Sequence, residues 1–164
     1  MNIIRKALIS VSNKKDLKPL LNALSKYKID IISSGGTYKK IKRLGFKCIE
    51  LSKFTNTPEI LNGRVKTLHP KIYGGILNKR QNKKHSREIK KNNYENIDLI
   101  VTNFYPFENT FLKKANHNKI IENIDIGGPT MVRAGAKNYN DVVVICNPNQ
   151  YQRFINELKT NKGS

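Results

Sequence analysis

Short apolar runs alternating with amphipathic stretches predict an α/β domain, a parallel central sheet flanked by helices. Residues 7–11, 30–33, 97–103 and 142–146 are such runs, each of a length that a buried strand uses and a membrane span does not. Leu17, Leu20, Leu21 and Leu24 recur between the first two at helical spacing. The chain has 164 residues, 38% of them hydrophobic and 26% charged. That is enough for one core, so residues 1–164 read as a single domain.

Taken in order, the first run ends in Ser-Val-Ser and is followed by a helix to about Lys26. The pair Ile31-Ile32 leads into Ser34-Gly35-Gly36-Thr37, after which Tyr38, Ile41 and Leu44 mark a second helix stopped by Gly45. Residues 46–51 read as a third strand. From 55 to 77 periodicity is poor and Pro58, Gly63, Pro70, Gly74 and Gly75 interrupt it, so a long functional loop is expected there. Residues 79–96 read as a polar surface helix and 111–121 as a weak one. Gly127-Gly128-Pro129 opens a helix over 130–137. A last strand at 142–146 and a last helix at 151–158 complete the pattern.

Composition narrows the function. Lys and Arg number 31 against 12 Asp and Glu, a net charge of +19, which invites a phosphate or nucleic-acid ligand. The lysines are spread over the whole chain with abundant Asn and Ile, as compositional drift would leave them, and no nucleic-acid-binding motif is present. Two cysteines, Cys48 and Cys146, make neither a disulfide framework nor a metal cluster, and read as buried thiols. No signal-peptide pattern is seen. A cytoplasmic protein without membrane, metal or specific nucleic acid is the expectation.

Ligands of parallel sheets bind beyond the carboxyl ends of the strands, and three polar segments fall there. Ser10–Lys14 (SVSNK) and Ser33–Thr37 (SSGGT) offer hydroxyls, backbone N–H groups and a following helix start, a natural phosphate cradle. A plain structural turn would explain SSGGT as well. In GRVKTLHP, residues 63–70, extended backbone would point Arg64 and Lys66 to one side with no acid among them. Finally, ENIDIGGPTMVRAGAKN at 122–138 places Asp125 and the N–H groups of Ile126 and Gly127 at a helix start, where a developing oxyanion would be stabilised. An Asp that merely caps its helix is the alternative.

Together with NFYPF at 103–107, these motifs occur in an order that resembles the N-terminal IMP cyclohydrolase domain of the bifunctional purine-biosynthesis enzyme, AICAR formyltransferase/IMP cyclohydrolase. The resemblance runs from about Arg5 to Tyr151. It implies a methylglyoxal-synthase-like, three-layer α/β fold and ring closure of formyl-AICAR to IMP with loss of water, needing no metal or other cofactor. It places the 5′-phosphate among Ser12, Lys14, Ser34, Gly36, Thr37, Arg64 and Thr67. Lys66, Tyr105, Asp125 and Lys137 are implied around the reacting base. Lys66 and Lys137 would act as the proton-transferring pair, with Asp125 orienting Lys137. Asn103 would help position the base, and Asp125, Ile126 and Gly127 would form an anion hole.

Asn13 stands where the family usually has Asp, and Ser34 where many members have Thr. The family's enzyme continues into a formyltransferase domain, while this chain stops at Ser164. Folate-dependent activity is therefore expected to be absent, or supplied by a separately encoded formyltransferase, and a homodimer is expected. Two other readings share the phosphate cradle: a methylglyoxal-synthase-like lyase and a regulatory module binding a nucleotide effector. A nucleic-acid-binding protein is a third, resting on charge alone.

Overall fold

Strand β1 (Lys6–Val11) is apolar on both faces, with residues 7–9 almost wholly enclosed, as the centre of a parallel sheet demands. The computed structural model describes residues 3–163; residues 1, 2 and 164 of the expected single domain lie outside the described residues. After β1 come α1 (Leu17–Lys26), β2 (Asp30–Ser33), α2 (Gly35–Arg43), β3 (Ile49–Glu50) and α3 (Leu51–Thr55). A 3-10 turn (Leu61–Gly63) precedes α4 (Pro70–Leu77), α5 (Lys83–Lys91) and β4 (Leu99–Asn103). The chain then forms α6 (Phe107–Leu112), α7 (His117–Glu122), α8 (Gly127–Lys137), β5 (Val143–Ile145) and α9 (Tyr151–Thr160).

The strands are ordered β3-β2-β1-β4-β5 and every pairing is parallel. Strand side chains alternate between the faces, and the two cores follow that alternation. Ala7, Ile9, Val11, Ile31, Leu99 and Val101 pack with α1, α9 and Ile41 of α2. Leu8, Ile32 and Ile100 pack on the other face with α3, α4 and Met131 and Ala134 of α8. The expected three-layer α/β architecture is the one found.

Several expected boundaries move, each for a packing reason. The third strand shortens from 46–51 to Ile49–Glu50, because Leu51 and Phe54 turn into α3 and bury in the second core. The expected loop over 55–77 contains α4. Pro70 occupies its first turn, His69 Nδ1 accepts from Lys71 N–H at 3.1 Å, and Ile72 and Ile76 are fully enclosed one turn apart. The surface helix shrinks to α5, capped by Asn82, whose side chain accepts from the N–H groups of Lys84 and His85. The weak helix at 111–121 is two short ones, broken near Lys114, which has φ 50°, and neither buries a residue. Helices α2 and α8 each begin about three residues early, on their glycines. No described helix is long and apolar enough to cross a membrane.

Charge pairs at the amino ends of the strands are structural. Lys6 Nζ meets Glu95 at 2.5 Å, and Arg80 meets Asp98 at 3.0 Å while Asp98 also accepts the N–H groups of Arg5 and Lys6. Cys48 and Cys146 are half-buried rather than fully buried.

Two outcomes follow from this packing. A Cβ at Gly75 would run into the Glu95 carbonyl and press on Ile97, so Gly75→Ala should cost about 1–3 kcal/mol in urea unfolding. Burial pushes the Cys48 thiol up from about 9 to about 11. The stability this contributes is complete below pH 9 and lost as pH rises through 11. Alkylation of Cys48 at pH 8.5 should accordingly run at least about tenfold slower in the folded chain than in urea.

Candidate functional site

Strand β1 has β2 on one side and β4 on the other, so the connections leaving the carboxyl edge diverge at this point. A cavity of about 500 Å³ opens there, over the ends of β1, β2 and β4. Ser12, Lys14, Ser34, Gly36, Thr37, Arg64, Lys66, Thr67, Asn103, Tyr105, Asp125, Ile126 and Gly127 all line it. Of the residues expected from sequence, Lys137 alone does not.

One end of the cavity is the start of α2. Ser34 flanks the helix in extended conformation and makes no side-chain cap, so the opening N–H groups of the helix lack a partner within it. Two ammonium groups stand over this turn. Lys14 Nζ donates to the Ser12 carbonyl at 3.1 Å and lies 3.9 Å from the position a Cβ on Gly36 would take. Lys66 Nζ lies 3.2 Å from the equivalent position on Gly35. A helix start with two cations over it is an anion site. Thr37 serves it indirectly: its buried hydroxyl donates to Val11 C=O at 3.0 Å and accepts from Val11 N–H at 3.1 Å.

The basic segment is not extended at Arg64. Arg64 has helical backbone angles and pairs with Glu122 of α7, which holds the guanidinium's pKa above its usual value through their hydrogen bond. Lys66 pairs with Glu59 at 3.1 Å. Thr67 is buried against the start of α8, where a Cβ at Gly127 would stand only 2.6 Å from its hydroxyl. His69 caps α4 and meets the Thr57 hydroxyl at 3.2 Å, a structural engagement of both ring nitrogens.

At the other end, Asp125 Oδ1 accepts from Gly128 N–H at 2.9 Å. This carboxylate caps α8 and faces the cavity at once, so the two alternatives for it are compatible. The Asn103 carboxamide accepts from Asn13 N–H at 2.7 Å and donates to Asn13 C=O at 2.9 Å. It clamps the loop bearing Ser12 and Lys14. Asn13 Oδ1 in turn accepts from Lys15 N–H at 2.9 Å, a turn that Asp would make equally well. Lys137 is exposed at the last turn of α8, about 15 Å along the axis from Gly127 at 1.5 Å per residue. Asp125 therefore does not orient Lys137 within one chain.

Sequence reasoning missed the acidic partners Glu59 and Glu122, and the lining residues Asn62, Ile121, Ile124 and Met131. Glu122 and Met131 lie inside a motif already singled out, but only folding brings Glu122 to Arg64. Among the described residues no three His, Cys, Asp or Glu side chains gather to hold a metal.

Fold and site together define a three-layer α/β domain whose cavity sets ammonium groups beside helix starts. The chain belongs to the MGS-like domain family, whose model matches residues 16–130. It is 51% identical over 161 residues to the bifunctional purine biosynthesis protein PurH of Acetivibrio thermocellus, covering 98% of this chain and 31% of that protein. PurH of Prochlorococcus marinus strain MIT 9301 is 51% identical over 154 residues, covering 93% and 30%. The chain thus spans about a third of the length of these relatives. A crystal structure of ForH superposes with a TM-score of 0.83 at 29% identity, covering 98% of this chain and 83% of that one.

Inorganic phosphate should bind at the start of α2 and shift the amide resonances of Gly35 and Gly36. Lys14→Ala, which removes one charged partner, should weaken that binding by about tenfold or more.

Proposed function

We propose that this domain closes the purine ring of formyl-AICAR to give IMP and water. The observation that carries the reading is the pair of ammonium groups, Lys14 and Lys66, over the opening turn of α2, in a cavity that a second helix start, α8, also lines. A volume of about 500 Å³ is the size of a small-molecule site. Identity near 50% to PurH proteins over nearly the whole chain supports it further.

In this reading the 5′-phosphate rests on the α2 turn, met by Lys14, Ser12, Ser34 and the N–H groups of Gly36 and Thr37. Thr67, beside the start of α8, and Arg64, beside α7, line the rest of the cavity. The base reaches toward Asp125, Ile126 and Gly127, with Tyr105 at the mouth. The carboxamide nitrogen attacks the formyl carbon of the same molecule, forming the C–N bond while the formyl oxygen gains electron density. Proton transfer from nitrogen to that oxygen makes a hydroxyl, which takes up the proton of the formamide nitrogen and leaves as water as that nitrogen forms the ring C=N bond. Holding both partners in one rotamer supplies much of the acceleration. The N–H groups at the start of α8 stabilise the charge, with the Lys66 ammonium acting from the α2 side of the cavity, and Asp125 accepts a hydrogen bond from the substrate amide.

Charge stabilisation in a single chain falls to Lys66 and the helix starts, not to a pair with the remote Lys137. A homodimer belongs to the same proposal: α6 and α7 bury none of their own residues and leave Phe111 and Leu112 exposed.

The purified chain should form IMP from formyl-AICAR and no methylglyoxal from dihydroxyacetone phosphate. Lys66→Ala should lower kcat by about a hundredfold or more with the fold intact. Absence of both IMP formation and IMP binding overturns the reading, and methylglyoxal production would replace it with the lyase.

A further inference from the structure

The Lys66 ammonium has a carboxylate partner. Ile60 and Val65 form an antiparallel bridge, so the next residues outward, Glu59 and Lys66, stand opposite each other. The Glu59 carboxylate meets Lys66 Nζ at 3.1 Å. Glu59 is absent from the lining of the large cavity and lines a smaller one of about 100 Å³ that Lys66 also lines. The carboxylate thus meets the lysine where the two cavities share a wall.

The turn that makes this register is costly. Leu61, Asn62 and Gly63 follow one another at φ 52°, 53° and 82°, the left-handed region that L side chains avoid. Leu61 is 66% exposed, so burial does not compensate it. A Cβ at Gly63 would overlap both Lys66 Cε and Glu59 Oε1, so the turn's glycine is also what lets the pair lie across it. Strain of this kind persists where the surroundings over-determine it, and it gathers at functional sites.

We propose that Glu59, carried by the left-handed turn Leu61–Gly63, is a positioning residue that fixes the Lys66 ammonium at the cavity. Its kinetic readout rests on the ring-closure reading; its structural readout does not. An ion pair this exposed adds little to folding stability. Removing the carboxylate also leaves the cavity more positive, so nucleotide attraction is not weakened. The lysine arm, with four rotatable bonds, then loses its fixed place.

The test uses the full chain with Glu59→Gln, Glu59→Asp, Lys66→Ala and the double variant Glu59→Gln/Lys66→Ala. Glu59→Gln should lower kcat about tenfold, with KM not raised and Tm unchanged, and Glu59→Asp should restore kcat to within about threefold of the parent. In the Lys66→Ala background Glu59→Gln should change nothing further. A crystal structure of Glu59→Gln should show Lys66 Nζ moved away from Gly35. An unchanged kcat, an equal loss in both backgrounds, or Lys66 still above Gly35 in the variant overturns the proposal. A displaced Lys66 in a chain whose parent does not turn over formyl-AICAR supports the positioning and overturns only the ring-closure reading.

Discussion

One buried hydroxyl holds the working end of this molecule together. Thr37 donates to and accepts from the backbone of Val11, tying the opening turn of α2 to the last residue of β1. A buried hydroxyl left unpaired would be costly, so the reciprocal pair fixes its own geometry. The Asn103 carboxamide does the same for β4, bonding both backbone groups of Asn13. Strand ends, helix start and the Ser12–Lys14 loop thereby share one rigid rim, and the anion site inherits that rigidity.

Local arrangement, not total charge, makes the site. A net charge of +19 spreads over the whole surface, where screening leaves each exposed lysine a weak partner. At the amino ends of the strands, Lys6 and Arg80 are matched by Glu95 and Asp98 and serve cohesion. At the carboxyl ends the acids Glu59 and Glu122 lie beside the cavity's cations from the loop and from α7. The ligand end therefore combines helix N–H groups with side-chain cations, of which Arg64 and Lys66 are held by carboxylates and Lys14 by the Ser12 carbonyl.

Much of this was legible in advance. The apolar runs at β1, β2, β4 and β5 carried the sheet, since burial on both faces forces continuous hydrophobic strands. All but one of the residues that the motifs single out line the cavity. Misreadings share a cause. Helix α4 escaped notice because Gly74 and Gly75 blur helical periodicity, although Gly75 is there to let α4 approach the Glu95 carbonyl. The Thr37 hydroxyl and the Asn103 carboxamide bond backbone groups of Val11 and Asn13, which no motif reveals. Lys137 was paired with Asp125 across a helix whose length keeps them apart.

By itself the sequence determined the strands, the helix-starting glycines and the residue types gathered beyond the sheet, because these follow from side-chain period and local backbone preference. Tertiary structure decided which polar atoms remain for a ligand and which are spent on one another. Hydrogen-bond and ion-pair partners such as Thr37 with Val11, Asn103 with Asn13 and Arg64 with Glu122 lie 26, 90 and 58 residues apart. Only the closed fold brings them within bonding distance, and no local pattern encodes that choice.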